Sequence, residues 1–354
     1  MLVNHADWNG RRVLVTGHTG FKGGWLSLWL TQMGAKVTGL SLPAPTEPSF
    51  FEQTRLAELV DHLEGDVRDM ATVEAAIRRA QPEVVFHLAA QPLVRYSYDN
   101  PVETYATNVM GTVHVLEACR HVDSVKAVVC VTTDKCYENR EWVWPYREAD
   151  PMGGYDPYSS SKGAAELAIS AYRRSYPDGP KIASVRAGNV IGGGDWALDR
   201  LVPDIVRAML AGQAPEIRNP NSVRPWQHVL EALGGYLMIA ESMLNGRSEA
   251  ATAWNFGPTD DDTQPVHWIV QEMLSRWGSD LGWIRPDGPQ PHEAVLLRLD
   301  CSKARLELGW SPRLRLKEAL AKVVEWHKQV ASSGDARPIS LEQIASYQAS
   351  MSST

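Results

Sequence analysis

The sequence has little that would build a metal site, a disulfide framework or a membrane segment. Its four cysteines (Cys119, Cys130, Cys136 and Cys301) form no closely spaced pair with a partnering histidine cluster. Reduced thiols are therefore the simpler interpretation, and we expect no metal. No stretch approaches the ~20 uninterrupted apolar residues that span a bilayer. Residues 1–12 carry no apolar run either, so we expect no secretory signal and a cytoplasmic location.

Charge of one sign is also not concentrated anywhere along the chain. The sequence has 35 Lys and Arg against 42 Asp and Glu, a formal net charge of −7, and the two signs are interspersed. Without a basic block, nucleic acid is an unsuitable partner. We expect no membrane partner either. The sequence is, by contrast, rich in apolar residues. Of its 354 residues 44% are hydrophobic, which is enough for a large core and for more than one compact domain.

Short apolar segments alternate with longer amphipathic ones through the first half of the chain. Segments rich in β-branched residues predict buried strands at 11–16, 36–42, 84–90, 127–132 and 182–186. Helical segments lie between them at 21–33, 72–80, 103–120 and 158–175. This alternation predicts an α/β fold with a doubly wound parallel sheet.

The pattern changes after residue 190, where glycine and proline interrupt it. A helix at 229–245 and a strand at 253–256 would extend the sheet, whereas helices at 266–277 and 316–330 favour a smaller, discontinuous α/β domain. We predict a Rossmann domain at 1–188 with about 229–262, and a substrate domain at about 189–228 with 263–335. The polar tail, 336–354, is expected to be loosely held.

A glycine-rich turn joins the first predicted strand to the first predicted helix. Gly17, Gly20 and Gly23 are spaced three apart in it. Glycines permit a tight turn and let the backbone approach a pyrophosphate, and the helix N-terminus adds unpaired N–H groups with partial positive charge. The spacing and position predict a dinucleotide site, with an ordinary strand-to-helix turn as the alternative.

Two positions leave the details of that dinucleotide open. Asp66 could accept a hydrogen bond from an adenine amino group, or it could be a solvated charge while Asp69 caps a helix. The second strand ends in residues 40–43 (Leu-Ser-Leu-Pro), without the acidic residue that often bonds the ribose 2′-hydroxyl of NAD. This position therefore does not separate NAD from NADP.

A tyrosine and a lysine stand four residues apart at the start of a predicted helix. Tyr158 and Lys162 therefore share one helical face, and a lysine cation lowers the pKa of a nearby tyrosine, which can then act as a base. Thr133 follows a predicted strand at the edge where ligands bind, and it could bond the hydroxyl that Tyr158 deprotonates. The alternative role for Thr133 is a helix or turn cap.

Taken together, these motifs resemble the extended short-chain dehydrogenases/reductases. The resemblance adds His87-Leu88-Ala89-Ala90 and Asn108 to the glycine loop, Thr133, Tyr158 and Lys162, and it covers about residues 11–330. Within that family, the segments at 20–30, 132–139, 186–196 and 218–228 closely resemble CDP-glucose 4,6-dehydratases. Dehydratases acting on dTDP-glucose usually have Thr-Asp-Glu where this chain has Thr133-Asp134-Lys135.

The resemblance implies NAD as the cofactor, CDP-glucose as the substrate and a place in deoxysugar biosynthesis, such as that of lipopolysaccharide O-antigen. The implied cofactor-binding residues are Gly17, Thr19, Gly20, Phe21, Lys22, Gly23, Asp66, Val67, Leu88, Ala89, Ala90, Asn108, Tyr158 and Lys162. The implied catalytic residues are Thr133, Asp134, Lys135, Tyr158 and Lys162.

The implied reaction oxidises C4 of the sugar, eliminates water across C5 and C6, and returns the hydride to C6. We assign Asp134 as the acid for the 6-hydroxyl, which requires a raised pKa. Lys135 would act at C5, either as a base or electrostatically. A turn with a surface ion pair between Asp134 and Lys135 is the alternative.

Several polar residues are candidates for holding the nucleotide sugar. Arginine suits a pyrophosphate because its planar donors bind oxygen pairs. The expected substrate-binding residues are Gln91, Arg95, Asn189, Arg218, Arg224 and Arg298.

Other functions remain open from the sequence. A 4-epimerase or decarboxylase of the same fold is one alternative, a dehydratase of another nucleotide sugar is a second, and a non-catalytic NAD-binding protein is a third. In the resembling family, the helices at 103–120 and 158–175 commonly pair across subunits, which implies a homodimer or homotetramer.

Overall fold

The computed structural model describes residues 3, 5–286 and 297–352, without the side chains of His5 and Ser352. Its strands are β1 (Arg12–Thr16), β2 (Lys36–Ser41), β3 (Asp61–Glu64), β4 (Val84–His87), β5 (Ala127–Val131), β6 (Lys181–Ala187), β7 (Asn189–Ile191), β8 (Val223–Arg224), β9 (Trp226–His228), β10 (Ala253–Phe256) and β11 (Gln264–Pro265).

The α-helices are α1 (His5–Trp8), α2 (Phe21–Gln32), α3 (Phe50–Gln53), α4 (Met70–Ala80), α5 (Val94–Asp99), α6 (Pro101–Tyr105), α7 (Gly111–Arg120), α8 (Pro157–Ser175), α9 (Leu201–Leu210), α10 (Val229–Leu244), α11 (Val266–Trp277), α12 (Leu316–Ser333) and α13 (Arg337–Ser352). A π-helical turn at Ala106–Met110 joins α6 to α7, so the helix predicted at 103–120 is a continuous helical path with a local widening.

The described residues form a main sheet of seven strands in the order β10-β6-β5-β4-β1-β2-β3. Every neighbouring pair in it is parallel. This confirms the predicted doubly wound fold. The strand order reverses between β1 and β4, and ligands of such sheets bind outside the carboxyl ends of the strands at that reversal.

Both faces of the sheet are buried, which explains why its strands are continuous apolar runs. Val13 and Val15 of β1 face one core cluster, which includes Trp25 and Trp29 of α2. Leu14, between them, faces a second cluster on the other side. Successive side chains of a strand point to opposite faces, so the same strand supplies both cores.

A third apolar cluster lies outside the main sheet. It is formed by α9, α11 and α12, with Ile205, Ile269 and Leu320 fully buried. The short pairs β7–β9 and β8–β11 lie in the same half of the chain. This cluster supports a smaller second lobe. The domain limits given above remain a prediction, and residues 287–296 of the second domain lie outside the described residues.

The C-terminal tail differs from the expectation. Residues 337–352 form α13, in which Ile339, Ile344 and Tyr347 are buried. The Tyr347 hydroxyl donates to Glu231 Oε2 at 2.8 Å, and its ring meets Trp29 edge-on. The prediction of a loosely held tail was therefore wrong, because the apolar positions of a mostly polar segment recur at helical spacing and pack on the core.

In the part of the chain that the structure describes, no helix is both long and apolar enough to span a bilayer.

Candidate active site

Two cavities meet at the carboxyl ends of β1, β4 and β5. The first follows the glycine loop and the end of β2, and the second runs from the end of β5 to the second lobe. The residues that line both are Lys22, Leu88, Ala90, Pro92, Val131, Asp195 and Arg200. A ligand in one cavity would therefore touch a ligand in the other.

The glycine loop lines the start of the first cavity, and the structure shows what each glycine does there. Gly17 has φ +77°, and a Cβ there would lie 2.7 Å from the Ala89 nitrogen. A Cβ on Gly23 would lie 2.1 Å from the Gly17 carbonyl oxygen. Gly20 lines the cavity and caps α2 without a side-chain hydrogen bond. The first turn of α2 therefore presents backbone N–H groups to the cavity, as a pyrophosphate requires.

Most of the cofactor residues expected from the sequence line this first cavity. They are Gly17, Thr19, Gly20, Phe21, Lys22, Gly23, Asp66, Val67, Leu88, Ala89 and Ala90. Tyr158 and Lys162 line the second cavity instead. Asn108 lines neither; its side chain accepts from the Gln91 nitrogen at 2.9 Å and donates to the Gln91 carbonyl and to Ser161 Oγ. Asn108 thus supports the cavity wall through Gln91 and Ser161. Its position does not favour the direct contact with the cofactor that was expected.

The segment after β3 contains both a helix cap and an acid at the edge of the cavity. Asp69 caps α4 by accepting from the Ala71 nitrogen at 3.1 Å. Asp66 lines the cavity and accepts from the backbone nitrogen and Nε of Arg68 at 2.8 and 2.7 Å. Asp66 is therefore available at the cavity edge, in a carboxylate form that its neighbour Arg68 stabilises.

The expected catalytic residues gather in the second cavity. Tyr158 and Lys162 lie on one face of α8, while Thr133 and Asp134 begin the turn after β5, and all four are buried. The Thr133 hydroxyl donates to Asp134 Oδ1 at 3.0 Å, and the Thr133 side chain lies close enough to the Tyr158 phenol to lower the phenol pKa. A phenol, a hydroxyl and a carboxyl group thus lie next to one another. Lys135 lines the same cavity.

Thr133 also has the capping role considered as its alternative. Its oxygen accepts from the Lys135 nitrogen at 3.3 Å and caps the turn Asp134–Cys136. One side chain therefore fixes the turn that carries Asp134 while it contacts Tyr158. The cap and the site position do not exclude each other.

Burial decides the protonation of the two acids in this cluster. Removal from water raises the pKa of Asp134, against the opposing effects of Lys135 and the Thr133 hydrogen bond. This is the direction that a carboxylic acid donor needs. Burial also raises the pKa of Tyr158 to about 12. Burial exceeds the opposing effects of Thr133 and Arg200, so the lowered tyrosine pKa expected from the spacing of Tyr158 and Lys162 is not seen for these side chains alone.

Two lysines near the cluster are shifted in the opposite direction. Burial lowers the pKa of Lys162 to about 8, and its Nζ donates to the Val131 carbonyl at 3.2 Å. Burial, followed by the charges of Arg200 and Lys162, lowers the pKa of Lys22 to about 8. Lys22 was expected only beside the cofactor, but it lines both cavities and lies near Asp134.

The cluster is anchored from beneath by a buried ion pair. Glu166, one turn after Lys162 on α8, accepts from Arg186 of β6 at 2.7 Å and from Thr132 at 2.5 Å. This pair fixes α8 against the strands whose ends carry the site. Arginine pairs well here because its planar fork matches both carboxylate oxygens.

Gly188 is a site residue that sequence reasoning missed. A Cβ at this position would lie 3.0 Å from Asp134 Oδ2 and 2.8 Å from Pro225 Cγ. The missing side chain leaves the space that the Asp134 carboxyl group occupies. The available signal was a glycine directly after a predicted strand end, within the unusual segment 186–196.

Asp195 and Arg200 were also missed, although both line the two cavities. Arg200 Nη1 lies 3.1 Å from Asp195 Oδ2. Asp195 lies in the segment 186–196 that carries the family resemblance, and Arg200 lies four residues after that segment. Nothing in the pattern of these residues predicts that the loop returns to the sheet edge.

Four of the six expected substrate residues line the second cavity: Arg95, Asn189, Arg218 and Arg224. Gln91 and Arg298 do not line it. The Gln91 amide is used inside its own loop, where it bonds Thr104 Oγ1 at 2.9 Å and the backbone of Leu93. Arg298 points towards Asp260, 3.8 Å away. The expectation that these two residues line the sugar or phosphate site is not met.

Among the described residues, no group of three or more His, Cys, Asp or Glu side chains could hold a metal ion. All four cysteines are buried free thiols.

Comparison with known proteins finds relatives along almost the whole chain. The family model described as GDP-mannose 4,6 dehydratase matches residues 14–323. A CDP-glucose 4,6-dehydratase of Salmonella typhimurium is 54% identical over 353 residues, 98% of each chain. A UDP-glucose 4-epimerase of Mycolicibacterium smegmatis is 27% identical over 326 residues, covering 90% of this chain and 98% of that protein.

Solved structures agree with the fold. A UDP-glucose 4-epimerase of Thermus thermophilus, solved as a complex with NAD, superimposes with a TM-score of 0.76 at 25% identity, covering 90% of this chain and 99% of that one. A dTDP-glucose 4,6-dehydratase of Bacillus anthracis in complex with NAD gives a TM-score of 0.76 at 21% identity, covering 93% and 100%.

Proposed function

This chain belongs to the NAD-dependent epimerase/dehydratase family that the GDP-mannose 4,6 dehydratase model describes, and we propose that it converts CDP-D-glucose into CDP-4-keto-6-deoxy-D-glucose and water on tightly bound NAD. The observation that carries the proposal is the grouping of Tyr158, Thr133 and Asp134 in one buried cavity. The choice of a cytidine nucleotide follows the 54% identical relative.

The first cavity fits a dinucleotide. The unblocked first turn of α2 offers N–H groups for a pyrophosphate, and Gly17 and Gly20 allow its close approach. Asp66 would accept from the adenine amino group at the cavity edge. When bound, NAD supplies the acceptor for the C4 hydride and later the donor at C6.

Tyr158 acts as the base for the sugar 4-hydroxyl in this proposal. Its phenol lies near the Thr133 side chain, and both residues line the second cavity. Because the tyrosine pKa of about 12 is too high for a base at neutral pH, the surrounding cations must stabilise the phenolate as the proton leaves. Lys162 and Arg200 line the cavity and carry that charge.

Asp134 acts as the acid that protonates the departing 6-hydroxyl. Its raised pKa keeps a proton available, and Thr133 and Gly188 fix the carboxyl group in place. Loss of the C5 proton and of the protonated 6-hydroxyl releases one water, and C5 takes up a proton again when the hydride returns to C6. The proton released from the 4-hydroxyl balances that uptake, so one water leaves per sugar. Lys135 lies in the same cavity and would either take the C5 proton or stabilise the negative charge that develops on the sugar as this proton leaves.

The nucleotide part would lie between the catalytic cluster and the second lobe. Arg218, Arg224 and Asn189 line that stretch of the cavity, and the arginines would pair with the pyrophosphate. An epimerase or a dehydratase of another nucleotide sugar is the alternative function. An epimerase needs no acid beside the leaving hydroxyl, so the buried, connected Asp134 favours dehydration.

A homodimer or homotetramer belongs to the same proposal. Large apolar side chains stand exposed along α6 to α8, including Val102 at 82% and Leu167 at 63% exposure. Apolar patches of this kind on neighbouring helices are typical of subunit contacts. The cytoplasmic location expected from the sequence remains a prediction.

Product mass tests the proposed function. The purified chain is incubated with CDP-, dTDP- and GDP-glucose in parallel, and each product is weighed by mass spectrometry. We expect loss of one water molecule with CDP-glucose and much slower loss with the other two. A product of unchanged mass, with the sugar inverted at C4, would establish the epimerase instead. The variant Tyr158→Phe serves as the inactive control.

A further inference from the structure

One carboxylate lies between two of the cavity arginines. Asp199 Oδ1 is 3.3 Å from Arg95 Nη1 and 3.1 Å from Arg218 Nη1, and the Arg218 Nη2 reaches the Asp199 carbonyl at 3.5 Å. All three residues line the second cavity. A single oxygen thus bridges two guanidinium groups that come from α5 and from the segment before β8.

The backbone directs this carboxylate into the cavity. Asp199 has φ +60°, the left-handed region that aspartate and asparagine tolerate better than most residues. It belongs to the connection between β7 and α9, in which Asp195 and Arg200 line both cavities. This loop backbone places Asp199 where its carboxylate lines the second cavity and reaches both arginines.

The two ion pairs that Asp199 makes with Arg95 and Arg218 are partly exposed to solvent, so another anion can replace Asp199 in them. The side chains of Arg95, Asp199 and Arg218 are 39%, 45% and 22% exposed. Ion pairs of this exposure are weak, because water and salt screen them. A pyrophosphate offers the same arginines more oxygens and more charge in bidentate geometry. An arriving pyrophosphate would therefore displace the carboxylate.

Resting on the proposed function, we propose that Asp199 is a positioning residue that occupies the anion position of Arg95 and Arg218 and competes with the substrate pyrophosphate for them. It keeps two like charges together in the cavity until the nucleotide sugar arrives. The competition then raises the KM for the substrate and speeds the release of a pyrophosphate-containing product.

The neighbouring acids Asp204 and Asp195 are paired with other arginines, so they do not compete for Arg95 and Arg218 as Asp199 does. Asp204 lies 4.0 Å from Arg218, but it pairs closely with Arg207. Arg200 pairs with Asp195. Neither acid bridges Arg95 and Arg218.

The variant Asp199→Asn separates charge from shape. Asparagine has the same size and tolerates the same left-handed backbone. We expect it to bind CDP and inorganic pyrophosphate about three- to tenfold more tightly by titration calorimetry, since two weak pairs no longer compete. The KM for CDP-glucose should fall by a similar factor, and kcat should change less than KM. The control Asp61→Asn makes the same charge change at the surface pair with Arg79 and should alter neither affinity nor KM.

A second variant tests whether the effect acts through the arginine. In an Arg218→Gln background, Asp199→Asn should give a smaller gain, because one of the two contested partners is gone. Weaker pyrophosphate binding by Asp199→Asn, or a fall in kcat at constant KM, would overturn the proposal. If Asp199→Asn bound pyrophosphate more tightly but neither it nor the unaltered protein turned over CDP-glucose, the competition would be supported and the proposed function would be refuted.

Discussion

The substitution Gly188→Ala tests whether Asp134 has to lie where the structure places it. Gly188 has an ordinary negative φ, so alanine adds only a Cβ. That atom would meet Asp134 Oδ2 at 3.0 Å and Pro225 Cγ at 2.8 Å. The contact with Pro225 is too short to persist, so Pro225 or the backbone at residue 188 must shift, and the Asp134 carboxyl group must also give way by a few tenths of an ångström.

The magnitude follows from two effects. Overpacking of this kind costs about 1–3 kcal/mol of folding free energy. Misplacing a reacting group by about 1 Å costs on the order of 10²-fold in rate. Because the required shift of Asp134 is smaller than that, we expect kcat for water loss to fall by up to about 10²-fold while the fold persists, measured by product formation and by urea unfolding of the same preparation.

A matched glycine supplies the control. A Cβ at Gly257 would meet nothing closer than Cys301 Sγ at 3.4 Å, an ordinary contact, and Gly257 lines neither cavity. Gly257→Ala should keep normal kcat and stability. If Gly188→Ala were as active as Gly257→Ala, the position of Asp134 beside Gly188 would not matter for catalysis, and the role given to Asp134 would be refuted.

Two further predictions concern stability. Lys162 has a pKa lowered from 10.5 to about 8 by burial, so its cation is disfavoured in the folded state; this penalty is fully present below pH 8 and is relieved as pH rises towards 10.5. Lys162→Met should therefore stabilise the inactive protein by up to about 3 kcal/mol at pH 7, with the gain vanishing above pH 10.5 in urea titrations. Truncation after Asp335 removes α13, whose buried Ile339, Ile344, Tyr347 and Met351 contribute about 1.5–3 kcal/mol each at full burial, so the urea midpoint should drop sharply. If the truncated protein had the same urea midpoint as the full chain, α13 would contribute nothing to stability and the tail would be loosely held after all.

The sheet was predictable because its strands are buried on both faces and are therefore continuous apolar runs. The edge strand β3 has the sequence Asp-His-Leu-Glu, which lacks such a run, and it was recognised only through the segment that follows it. The helix α9 was missed although its apolar residues follow the helical period, because proline within it suggested a break. Proline at the third position of a helix is tolerated, since the missing N–H has no partner there.

The site was predictable where it depends on strand ends. Thr133 and Asp134 follow β5 and Tyr158 begins α8, and the topology alone brings them together. Gly188, Asp195 and Asp199 depend instead on the path of long loops, which periodicity does not encode. Gln91 shows a further limit of the sequence: a polar residue after a strand can serve its own loop as well as a ligand, and its amide bonds Thr104 and the backbone of Leu93.

The most direct test of the account is the fate of the sugar in the variant Asp134→Asn. Asparagine keeps the shape and the contact with Thr133 but has no proton to give. We predict that C4 oxidation still occurs, seen as the absorbance of reduced nicotinamide in a single turnover, whereas loss of water by mass slows by about 10²–10⁴-fold. Water loss at the rate of the unaltered protein would contradict the claim that Asp134 is the acid.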